Sequence, residues 1–122
     1  MSTVRQEQIA RLMVEEISAM LLRDLKDPRL SMVTITHAEI SRDLRHARVY
    51  VSVMEPDRQQ EALDGLRSAS GYIRGEFTRR ARLRIAPEID FRPDKGIEHG
   101  ARIFELLKEI EAESRTDSPV DS

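Results

Sequence analysis

Two runs of alternating apolar residues limit what this chain can fold into. Ala47, Val49, Val51 and Val53 alternate with Arg48, Tyr50 and Ser52. Just upstream, Val33 and Ile35 alternate with Thr34 and Thr36, and then the phase slips, so that the next apolar positions are Ala38 and Ile40. A period of two is the strand period, and each run reads as a strand with one dry and one wet face. The slip predicts a bulge near His37. Residues 41–46 form a polar connector of hairpin length. A sheet with one dry face must be covered, so the flanking segments should supply a layer of helices.

They have the pattern for it. Ile9, Leu12, Met13, Ile17, Met20, Leu21 and Leu25 recur at steps of three and four, predicting an amphipathic helix over about 3–25. Thr3 and Gln6 fit a capping box at its start, and Asp27-Pro28 stops it. Ala62, Leu66, Ala69, Ile73 and Phe77 make a second stripe, implying helix from about 58 to 81 with Asp57 as cap. The stripe runs through Gly71, which predicts a kink there, with Gly71 at positive φ if the kink demands it. Ile89 and Phe91 alternate with charged residues in a short third strand closed by Pro93. Ile97, Ala101, Ile103, Phe104, Leu106, Leu107 and Ile110 mark a last helix, about 98–112. The expected fold is α+β, helices packed on a three-stranded sheet. Residues 1–112 form one domain and 113–122 a disordered acidic tail.

Composition excludes several functions. The 122 residues include no cysteine, which removes thiolate catalysis, disulfides and zinc–thiolate sites. No apolar run approaches the roughly 18 residues of a membrane span, and the N-terminus has no secretory pattern, so a cytoplasmic protein without membrane contact is expected. His37, His46 and His99 make no metal-ligand spacing, and there is no phosphate-cradling glycine loop or nucleophile elbow. The chain reads as a non-enzyme that needs no cofactor and no metal, monomeric when free.

Charge is the remaining signal. Of 20 basic residues, 17 are arginine, the side chain suited to bidentate phosphate contact. Residues 67–86 carry six arginines against one acid, a net of +5. Residues 105–122 carry six acids against two bases, a net of −4. Arg79 and Arg80 sit in a last helical turn, where cations offset the dipole. Arg67, Arg74, Arg82 and Arg84 have no such account, and Arg42, Arg45 and Arg48 form a second cluster on the hairpin. The clusters favour a polyanion-binding face over a solvated one. Aromatic residues are only 4% of the chain, so such a face would read backbone and shape rather than stack bases.

Several segments together resemble the ribosome-binding factor A family. They are residues 26–30 (KDPRL), 34–36 (TIT), 40–53 (ISRDLRHARVYVSV), 69–71 (ASG), Ile73-Arg74 and 83–91 (LRIAPEIDF). The resemblance runs in order over about residues 5–110. It implies a type II KH-like fold with order α-β-β-α-α-β, in which Ala69-Ser70-Gly71 replaces the GxxG loop of ordinary KH domains. It also implies a factor that binds the small (30S) ribosomal subunit, contacts 16S rRNA and supports late rRNA maturation, most needed in the cold. The expected RNA-binding residues are Arg67, Ala69, Ser70, Gly71, Arg74, Arg79, Arg80, Arg82 and Arg84, with Arg45 and Arg48 from the hairpin. The alternatives are another ribosome-associated regulator, such as a hibernation or translation factor, and a protein–protein interaction module.

Overall fold

The structure is a computed structural model that describes residues 3–95. The elements follow in the order α1 (Val4–Ala19), β1 (Val33–Ile40), β2 (His46–Val53), α2 (Gln59–Ser68), α3 (Ser70–Arg80) and β3 (Glu88–Pro93). The last helix and the tail expected from the sequence lie outside the described residues.

Thr3 caps α1 as its pattern predicts: its hydroxyl accepts from the Gln6 amide, and the Gln6 side chain accepts from the Thr3 amide. Gln6 also donates to the Ile40 carbonyl at 2.8 Å, tying the start of α1 to the end of β1. Beyond Ala19 the helix widens into one π turn, Met20–Asp24, closed by the Leu25 amide on the Met20 carbonyl at 3.0 Å. The inserted residue lets both Met20 and Leu25 reach the core, which a regular turn would not allow. Asp27 then caps a single 3-10 turn, Pro28–Leu30.

β1 and β2 pair antiparallel, with the register jumping between Ile35 and His37, so Thr36 is the bulged residue. The hairpin turn is closed by Leu44 donating to the Ser41 carbonyl, with Leu44 itself at φ 61°. β3 lies parallel to β2 in the order β1-β2-β3, and a parallel neighbour requires a crossover, here α2 and α3. Ile35, Ala38, Val49, Val51 and Phe91 meet Met13, Ile17, Leu66, Ile73 and Phe77 in one core, each buried, so the helices cover one face of the sheet.

Two local expectations change. Asp57 does not cap α2; Pro56 opens a 3-10 turn from Glu55, and α2 begins from Arg58 with no side-chain cap. The break between α2 and α3 falls on Ala69 (φ −91°, ψ 0°), two residues before Gly71. Gly71 lies inside α3, and no described glycine has positive φ. The chain turns by placing Ala69 in the bridge region between helical and extended backbone, which alanine reaches without glycine's freedom.

Candidate nucleic-acid interface

The Ala69 break leaves the start of α3 open. The Ser70, Gly71 and Tyr72 amides have no acceptor in α2; the next amide bonded back across the corner is Ile73, to Ala69. A Cβ built on Gly71 or Gly75 meets nothing within 4 Å, so the outer face of α3 is bare backbone one turn apart. Ser70, Gly71, Arg74, Glu88 and Ile89 line a shallow depression of about 300 Å³ at this corner. The hairpin reaches the same end, because the Glu88 amide donates to the Arg45 carbonyl at 2.8 Å.

The expected arginines divide by what they touch. Arg74 donates Nε to the Pro87 carbonyl and Nη2 to the Ala86 carbonyl, both at 2.9 Å, and so fixes the approach to β3. Arg80 is the hub of an ionic cluster, reaching Glu76 at 3.0 Å, Glu16 at 3.2 Å and Asp24 at 2.9 Å. It joins α3 to both the body and the π turn of α1. Arg79 pairs with Glu76. Hydrogen bonds from Arg79 and then Arg80 hold the Glu76 carboxyl below the ordinary range. Arg67 lies 3.8 Å from Asp64.

Arg82 and Arg84 are different. Both are exposed, and neither makes an ion pair with a described residue. Arg82 sits at φ 56°, just past the end of α3. The Leu83 amide bonds the Thr78 carbonyl and the Arg82 amide bonds that of Arg79, a Schellman motif with arginine at the position usually held by glycine. A long side chain held in left-handed backbone is a strained choice that invites a functional reason. On the hairpin, Arg42 and Arg45 are likewise exposed and unpaired among the described residues. Sequence reasoning placed Arg42 in the hairpin cluster and carried only Arg45 and Arg48 into the expected site.

Arg48 belongs to another surface. It lies on the open sheet face, in register with Glu39 on one side and Asp90 on the other. There His37 stacks on Tyr50 (5.7 Å), the Tyr50 hydroxyl donates to Glu39 at 2.8 Å, and Arg92 donates to Asp90 at 2.8 Å. That face mixes both signs of charge.

Among the described residues, no group of His, Asp and Glu is placed to hold a metal ion, and no helix is long and apolar enough to cross a membrane. Helices on one face of a β1-β2-β3 sheet, with an open helix corner flanked by unpaired arginines, define a small α+β module of KH-like element order. The family model described as Ribosome-binding factor A matches residues 5–107. The ribosome-binding factor A of Halothermothrix orenii is 43% identical over 118 residues, covering 96% of this chain and 97% of the relative. The crystal structure of that factor from Thermus thermophilus superposes with a TM-score of 0.57 at 31% identity, covering 72% of this chain and 90% of the other. A Thermus thermophilus homology model fitted into the cryo-EM map of a 30S complex superposes at 0.58, with 29% identity and coverage of 78% and 97%. The chain belongs to the ribosome-binding factor A family.

Proposed function

We propose that this chain is a non-enzymatic assembly factor that binds the 30S subunit through 16S rRNA in the cytoplasm and supports late rRNA maturation, notably in the cold. The observation that carries the reading is the sorting of the arginines. Arg82 and Arg84 on the segment after α3, and Arg42 and Arg45 on the hairpin, stand exposed without ion pairs near the open start of α3. Phosphates would meet these guanidiniums, the free amides of Ser70, Gly71 and Tyr72, and the bare backbone of Gly71. Arg67 and Arg79 stand at the margin, each loosened from one exposed carboxylate partner if RNA competes. Arg74 and Arg80 act as positioning residues, holding the β3 approach and the α1–α3 joint. Arg48 lies on the mixed-charge sheet face and contributes least. Membership of a family with a relative fitted into a 30S complex supports the same reading.

The test is co-sedimentation with purified 30S subunits. The pair Arg82→Glu and Arg84→Glu should abolish association with the melting temperature nearly unchanged, since exposed unpaired charges contribute little to stability. The pair Arg5→Glu and Arg11→Glu, on the outer face of α1, should bind as the parent does. Normal binding by the first pair would overturn the reading. Preference for mature 70S ribosomes over 30S particles would favour a hibernation or translation factor instead.

A further inference from the structure

A carboxylate stands where the proposed surface should be most welcoming to phosphate. Glu88 lines the depression with Ser70 and Gly71, and its amide is bonded to the Arg45 carbonyl. We infer that Glu88 limits affinity: its carboxylate, between the open start of α3 and Arg45, repels RNA phosphates and keeps the complex weaker than the arginines alone would make it. The inference rests on the RNA-binding reading above.

Glu88 has no structural duty that explains it. Its side chain is 73% exposed, and the nearest cationic group is the His46 imidazole, 3.9 Å away. The backbone amide of Glu88, which any residue would supply, makes the bond to the hairpin. The guanidinium that shares the depression cannot offset the carboxylate, because Arg74 is turned onto the Ala86 and Pro87 carbonyls. The depression therefore offers amide donors beside an uncompensated negative charge. Binding surfaces set their selectivity with repulsive as well as attractive groups, and a factor that must leave its particle benefits from a ceiling on affinity.

The experiment measures dissociation constants of the full chain with purified 30S subunits at several salt concentrations. Glu88→Gln keeps the shape and removes the charge; Glu88→Asp keeps the charge. Glu61→Gln, on exposed α2, makes the same change in net charge away from the depression. Glu88→Gln should bind about threefold tighter at low salt, with the gain fading as the Debye length shortens towards 3 Å near 1 M. Glu88→Asp and Glu61→Gln should bind as the parent does, and all three should melt within a degree or so of it. A Glu88→Gln protein no tighter than Glu61→Gln overturns the inference. Weaker binding also overturns it, and would show Glu88 accepting hydrogen bonds from bases. A gain that persists at high salt denies the electrostatic cause. Failure of the parent reading looks different: the Arg82 and Arg84 reversal would then bind normally.

Discussion

Gly65 and Gly71 lack side chains for opposite reasons. A Cβ on Gly65 would lie 3.1 Å from Leu30 Cδ2 and 3.2 Å from Arg29 Cβ, so α2 rests on the Pro28–Leu30 turn only because this residue is bare. At Gly71 nothing within 4 Å needs the space, and the backbone is ordinary helix. Gly71→Ala should therefore raise stability by about 0.5 kcal/mol, because alanine loses less chain entropy in a helix. Gly65→Ala should lower it by about 1 kcal/mol through overpacking. Thermal melts of the two variants check this. If Gly71 is bare to admit RNA backbone, its alanine variant should also bind 30S subunits more weakly while melting higher. Neither glycine could be read in this way from the sequence: Gly71 stood out as a helix breaker, and Gly65 attracted no notice because its neighbour is 35 residues away.

The joint between α1 and α3 shows what makes elements cohere here. Arg80 reaches Glu16 and Asp24, and the Tyr72 hydroxyl donates to Asp24 at 2.8 Å, which raises the tyrosine pKa. Glu76 closes the cluster from the α3 side. Its folded pKa lies below the ordinary 4.5, chiefly through Arg79 and then Arg80. Folding therefore favours the ionised form: the contribution is full above the unfolded pKa and is lost as pH falls through the lower folded pKa. Glu76→Gln should melt below the parent at neutral pH, and the gap should close as pH drops below 4.5. Melting temperature followed by circular dichroism across pH 2–8 reads this directly; a gap constant with pH would show that Glu76 acts by packing alone.

Elements were legible where the cause is local. The Thr3–Gln6 box, the Thr36 bulge and the three strands follow from neighbours within a few residues, and the structure has them where the pattern puts them. The corner at Ala69 did not, since nothing in an alanine announces bridge-region backbone, and Gly71 drew the expectation two residues too far. The start of α2 was displaced by Pro56, whose 3-10 turn takes up the position that Asp57 would have capped.

For the whole molecule, charge composition showed that a basic surface exists but not which arginines form it. The partners of Arg80 lie 64 and 56 residues away, and those of Arg74 are carbonyls 12 and 13 residues on. Only the fold separates these committed guanidiniums from Arg42, Arg45, Arg82 and Arg84. The same sorting sets the prediction at this scale, since each phosphate contact contributes about 0.7–0.9 to the slope of log affinity against log salt concentration. The deciding measurement is that slope for 30S binding by the parent and by a protein with Arg42, Arg45, Arg82 and Arg84 all changed to glutamine. The account predicts a slope shallower by about 3 and a fold that still melts near the parent temperature. An unchanged slope would contradict it and place the RNA-binding face elsewhere on the protein.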